Sequence, residues 1–123
     1  MYELIVKGHF SSAHRVRGYK GKCEHLHGHN WLVEVTLRKG SLDRLGMVMD
    51  FKDIKKILND MLDGYDHKYL NELPDFKRVN PTTENIARLL AGKLQKQLKP
   101  TGVKVVRVNV WESEQSGACY VVR

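Results

Sequence analysis

Disulfide chemistry, membrane spans and low-complexity linkers are all missing from this chain. Its 123 residues hold two cysteines, Cys23 and Cys119, too few for the stapled framework of a small secreted domain, so reduced thiols are expected. No apolar run approaches the roughly 20 residues of a membrane helix. The opening MYELIVKGHFSSAH lacks the basic n-region and the longer apolar core of a signal peptide, and the expectation is a cytoplasmic protein without membrane contact. Acidic residues are in the minority, 14 against 21 Lys and Arg, and the net charge of +7 favours anionic partners. What is present is a 41% hydrophobic content, sufficient for one core and hence one domain over residues 1–123.

Hydrophobic periodicity divides the chain into strands, helices and strands. Tyr2 to about His14 is rich in strand formers. From His29 the run HNWLVEVTLRK alternates, with His29, Trp31, Val33, Val35 and Leu37 on one face. Asp50 is placed to cap FKDIKKILNDML, where Phe51, Ile54, Leu58, Met61 and Leu62 recur at helical spacing. Pro81, Thr82 and Thr83 start a second helix with Ile86, Leu89, Leu90, Leu94 and Leu98 as its stripe. VKVVRVNVWES and GACYVVR then read as two strands turning near Gln115-Ser116-Gly117. The order ββααββ predicts an α+β domain, a four-stranded antiparallel sheet with two helices on one face. The other face keeps an apolar load, with Trp31 or Trp111 in it, that other subunits would bury; either tryptophan would also fit the monomer's own core. Cys119, in an alternating strand, reads as a small buried residue.

The stretch CEHLHGHN concentrates metal-ligand chemistry, with Cys23, His25, His27 and His29 on every second residue. Along an extended chain, residues i and i+2 lie about 6.6 Å apart on one face and i and i+4 about 13 Å. Zinc ligands sit about 2.0–2.3 Å from the ion, so four residues strung along a straight strand cannot close one site. The pair is either His25 with His27 or His27 with His29, and the second leads directly into the alternating strand. A third ligand must come from elsewhere, with His9 and His14 as candidates, His14 nearer the mouth of the connecting loop. Three histidines leave one position open, the catalytic pattern. A nucleic-acid-binding finger fits poorly: Lys and Arg are spread along the chain, and C-x2-C and H-x3-H spacings are absent.

FSSAH, C-x3-H-G-H, MDF before a helix, DHKYLN, NPTTEN and a late WES occur here in that order. Together they resemble the 6-pyruvoyltetrahydropterin synthase/6-carboxytetrahydropterin synthase family, from Phe10 to Tyr120. The resemblance implies the tunnelling or T-fold, in which three subunits close a barrel and two trimers commonly stack into a hexamer, with each active site at a subunit interface. Carried over residue by residue, it implies Zn2+ on His14, His27 and His29. It also implies a catalytic thiol at Cys23 working with Asp66 and His67, a pterin-anchoring carboxylate at Glu112, and a pocket lined by Thr82 and Thr83. His9 and His25 match no functional position.

The substrate the resemblance implies is 7,8-dihydroneopterin triphosphate, a small molecule, with no nucleic acid involved. Arg15, Arg17, Lys20 and Lys22, flanking the metal loop, are candidates for the triphosphate's counter-charges. Two products compete within the family: 6-carboxy-5,6,7,8-tetrahydropterin with acetaldehyde, on the route to queuosine and other 7-deazaguanines, or 6-pyruvoyltetrahydropterin. The compact C-x3-H-x-H spacing looks like the bacterial carboxy enzymes, and that product is expected here.

Overall fold

The computed structural model describes residues 1–19 and 25–123; Cys23, Lys20 and Lys22 lie outside them. Strand alternation explains the central pairing. Strand β1 (Tyr2–His14) and strand β2 (His27–Lys39) run antiparallel in one unbroken register, from Tyr2 opposite Lys39 to His14 opposite His27. Because side chains alternate, Val6, Phe10, Ser12 and His14 share a face with Trp31, Val33, Val35 and Leu37, and all are buried. Strand β3 (Lys104–Trp111) pairs with β2, and strand β4 (Gly117–Val121) pairs with β3, giving the order β1-β2-β3-β4. A bulge at Thr36/Leu37 shifts the β2–β3 register by one residue, so that Val105, Val108 and Val110 all reach the covered face.

Helix α1 (Phe51–Asp63) begins where the Asp50 carboxylate accepts the Lys52 N–H at 2.8 Å, and it buries Ile54, Leu58 and Leu62. Helix α2 (Thr83–Leu98) begins where the Thr82 hydroxyl accepts the Asn85 N–H at 3.1 Å, and it buries Ile86, Leu90, Leu94 and Leu98. Both helices cover the same sheet face, α1 against β1 and α2 against β3 and β4. Gly8 permits the close approach of α1, since a Cβ there would stand 2.7 Å from the Leu62 side chain. Trp31 lies wholly in this core, stacked on Phe10 with ring centroids 5.6 Å apart.

The second sheet face is left uncovered by the described residues of the single chain. It carries Ile5, 62% exposed, together with charged pairs: Arg38 with Glu3, and Lys7 with Glu34 at 3.9 Å. Trp111 stands on this face, its indole N–H donating to Glu34 at 2.7 Å. The two tryptophans therefore divide, one to each face. Cys119 corrects the expectation of burial. It faces outward opposite Asn109, on the edge strand β4, and is exposed. No helix among the described residues is long and apolar enough to cross a membrane.

Candidate functional site

Strand register builds the site. His14 and His27 are directly opposed at the open end of the β1–β2 ladder, and His29 follows two residues along the same face. Their donor atoms all lie within 4.8 Å of one another. β2 begins at His27, two residues before the hydrophobic alternation starts, and that extension places both its histidines on rigid backbone. His9, the alternative third ligand, has the opposite parity and points from the uncovered face. His25 stands outside the cluster and contributes its backbone carbonyl to it.

The outer nitrogens define what the inner ones can do. His14 Nδ1 lies 2.7 Å from the Pro81 carbonyl, and His27 Nδ1 lies 2.8 Å from the His25 carbonyl. A carbonyl only accepts, so each Nδ1 carries the hydrogen and donates, which leaves each Nε2 as the inward-facing nitrogen available for a ligand. Those two Nε2 atoms are 3.0 Å apart, an arrangement that calls for a proton or a cation between them. His29 Nε2 is buried and has no hydrogen-bond partner among the described residues. Burial holds His14 and His29 below the usual imidazole range, favouring the neutral, ligating form. A tetrahedral zinc with Zn–N near 2.05 Å would separate its donors by about 3.3 Å, inside the observed spread. The donor set fits a metal ion of the zinc type with one coordination position open.

Glu112 lies just past the end of β3, with its carboxylate 3.7 Å from His29 Nε2, and so borders the cluster. A cavity of about 800 Å³ opens beside it on the uncovered face, between Glu112, His29, Trp111, Leu32 and Glu34. Gly117 keeps this corner tight; a Cβ there would be 2.7 Å from the Trp111 ring.

Asp66 and His67 form a separate pair on the outer edge of β1. The Ser11 N–H donates to Asp66 Oδ1 at 2.8 Å, the His67 N–H donates to the Ser11 carbonyl at 2.6 Å, and Asp66 Oδ2 meets His67 Nδ1 at 2.8 Å. The Ser11 N–H, with the His67 ring next, holds the Asp66 carboxyl below its ordinary value. His67 has φ 53°, a left-handed conformation costly for a side-chain-bearing residue, and its side chain is 83% exposed. The segment is held in that conformation by Ser11, while its imidazole, paired with Asp66 through Nδ1, projects outward.

The remaining expected residues divide. Thr82 is the α2 cap, Thr83 is the first residue of α2, and both follow Pro81, the residue that orients His14. Cys23 lies outside the described residues. Arg17 Nη2 donates to the Phe76 and Val79 carbonyls, the latter at 2.8 Å, which ties one edge of the guanidinium to the fold. Pro81 and Ser11 were not identifiable from the sequence as orienting groups, because both act through backbone atoms across more than 50 residues. No local pattern signals that.

Comparison with known proteins agrees with this geometry. The family described as 6-pyruvoyl tetrahydropterin synthase matches residues 3–122. An Archaeoglobus fulgidus protein provisionally named 6-carboxy-5,6,7,8-tetrahydropterin synthase is 41% identical over 109 residues, covering 89% of this chain and 86% of its own. A Pyrococcus furiosus protein named dihydroneopterin monophosphate aldolase is 37% identical over 114 residues, 93% of this chain and 92% of its own. The structure of Caenorhabditis elegans 6-pyruvoyl tetrahydropterin synthase superimposes with a TM-score of 0.87 at 30% identity, over 99% of this chain and 96% of that one. With sequence match and superposition both running nearly from end to end, the chain belongs to the 6-pyruvoyl tetrahydropterin synthase family, an enzyme family of pterin synthases built on the T-fold.

Proposed function

We propose that this protein is a zinc-dependent carbon–carbon lyase, a 6-carboxytetrahydropterin synthase. It would convert 7,8-dihydroneopterin triphosphate and water to 6-carboxy-5,6,7,8-tetrahydropterin, acetaldehyde and triphosphate, in the cytoplasm and on the route to queuosine and related 7-deazaguanines. The observation that carries the reading is the His14–His27–His29 triangle, with two outer nitrogens bonded to carbonyls and Glu112 at its border. The family match and the Archaeoglobus relative's name support the choice of product.

Zinc on the three histidines would supply Lewis acidity toward the substrate's side-chain hydroxyls. Glu112 anchors the pterin, its carboxylate accepting two N–H hydrogen bonds side by side. Thr82 and Thr83 line the pterin pocket. Cys23 takes the carbon-bound proton as a thiolate. His67 shuttles a proton, with Asp66 orienting its ring through Nδ1. The exposure of His67 and the uncovered sheet face support an oligomer, a trimer or hexamer, in which this pair completes a neighbour's site.

A second reading follows from the Pyrococcus relative, which is similar along 92% of its length and is named for aldol cleavage of dihydroneopterin monophosphate. One experiment separates the two. Zinc-loaded protein is incubated with dihydroneopterin triphosphate and, separately, with the monophosphate, and products are identified by mass alongside an acetaldehyde assay. Carboxytetrahydropterin with acetaldehyde supports the proposal. Pyruvoyltetrahydropterin without acetaldehyde overturns the choice of product, and cleavage confined to the monophosphate favours the aldolase. Cys23→Ala should keep metal and fold while losing turnover of the triphosphate; full activity would remove the thiol from the mechanism.

A further inference from the structure

Beyond His14 the chain leaves the sheet, and a departing strand loses the ladder that satisfied its backbone. Two side-chain amides replace that ladder. Asn71 accepts the Arg15 N–H through Oδ1 and donates to the Arg15 carbonyl through Nδ2, both at 2.9 Å. Asn80 does the same at Arg17, at 3.0 and 2.9 Å. Each amide behaves as one residue of a neighbouring strand, and the two meet alternate residues as strand pairing would.

These amides come from DHKYLN and NPTTEN, the two motifs whose asparagines the proposed chemistry does not use. Their positions relative to His14 give them a task. Asn71 grips the residue immediately after His14. Asn80 immediately precedes Pro81, whose carbonyl receives the His14 Nδ1 hydrogen at 2.7 Å. The Asn80 carbonyl in turn accepts from Asn85 Nδ2 at 2.9 Å, tying it to the first turn of α2. The backbone beside the ligand and the group that orients its ring are therefore fixed to one another through amides.

We infer that Asn71 and Asn80 are positioning residues for the three-histidine centre: by bracketing Arg15 and Arg17 they set the aim of the His14 ring, and with it the affinity and geometry of the bound metal. This rests on the reading of His14, His27 and His29 as metal ligands. A purely structural role would stabilise the chain and leave the metal unchanged, and the molecule supplies a matched control. Gln95 makes a similar amide bracket at the far end of the sheet, accepting the Val105 N–H at 2.8 Å and donating to the Val103 carbonyl at 3.3 Å.

Substitution to the carboxylate isostere keeps the acceptor and turns the donor into a second oxygen facing a carbonyl. Metal-free Asn71→Asp, Asn80→Asp, Gln95→Glu and unsubstituted protein would be titrated with Zn2+ against a chromophoric chelator. Ligand-field spectra of the Co2+ forms and thermal melts of the metal-free forms complete the set. The two asparagine variants should bind Zn2+ about 10- to 100-fold more weakly, the usual cost of losing an outer partner, with shifted cobalt bands. Gln95→Glu should lower the melting temperature while leaving affinity and spectrum unchanged. Should either aspartate variant fail to fold, Asn71→Ser and Asn80→Ser remove the bracket without adding charge and are judged by the same readouts. Wild-type affinity and spectra in the asparagine variants would overturn the inference, as would an equal loss of affinity in Gln95→Glu. Unsubstituted protein that takes up neither Zn2+ nor Co2+ would instead overturn the metal reading beneath it.

Discussion

The covered face of the β1–β2 ladder is aliphatic at one end and imidazole at the other. Val6, Val33, Val35 and Leu37 meet the helices at the first end; Ser12, His14, His27 and His29 occupy the second. Between them lie Phe10 and Trp31, stacked at 4° to each other, with Trp31 edge-on to both His14 and His29. One backbone pairing serves both ends, and only the side chains change. At the aliphatic end, burial itself stabilises. At the histidine end the core already holds the strands in place, so buried polar atoms such as Ser12 Oγ and His29 Nε2 stand without hydrogen-bond partners among the described residues. Core and site are two uses of one surface, and they should fail independently.

The strongest break in that independence would be a histidine substitution that unfolds the protein. His14→Ala or His27→Ala should abolish metal uptake, a larger loss than the roughly 10- to 100-fold that removing an outer partner costs, with little change in the metal-free melt. His25→Ala should retain the metal, because His25 contributes a backbone carbonyl. Metal analysis alongside circular dichroism checks all three. The converse is Leu37→Ala, which should cost about 2–5 kcal/mol in urea unfolding while the folded fraction keeps its metal affinity. Glu112→Gln sharpens the boundary from the site's own edge. Losing a charge-assisted pair worth about 1.5–3 kcal/mol should weaken pterin binding by about 10- to 100-fold, measured by calorimetry, with metal retained.

The smallest effect lies away from both ends. Burial pushes the Asp75 carboxyl up, but Lys93 and the Tyr65 hydroxyl outweigh it and hold it below the ordinary 3.8. A carboxyl depressed in the folded state stabilises above its unfolded pKa, and that contribution is lost as pH falls through the folded value. Asp75→Asn should therefore flatten part of the acid limb of stability below about pH 4, by less than about 1 kcal/mol because the pair is partly solvated. Urea midpoints across that range would show it.

Short-range signals were legible and long-range ones were not. The Asp50 cap, the helix start at Pro81-Thr82-Thr83, the strand parity and most of the helical stripes rest on residues within a few positions of one another, and the structure reproduces them; Phe51 is the exception, 51% exposed at the first residue of α1. Parity alone leaves His25/His27 and His27/His29 both open, since all three share it, and the second pair is preferred only because it runs into the alternating strand. The register, which brings residues 13 apart into opposition, sets His14 rather than His9 beside it. HGH carries no hydrophobic alternation, so the first two residues of β2 were hidden. The anchoring of Arg17 Nη2 was equally hidden, since its carbonyl partners lie about 60 residues away. Cys119 misled because alternation does not reveal which strand forms an edge.

The opposition of His14 and His27 also bears on errors of assembly. Slipping β1 by one residue against β2 would set His14 opposite Gly28 and send the other two imidazoles to the far side of the sheet. A slip of one residue in either direction dismantles the triangle of nitrogens. The pairing thus carries a parity check: an ion that needs all three rings recognises the correctly paired chain and passes over one slipped by a single residue.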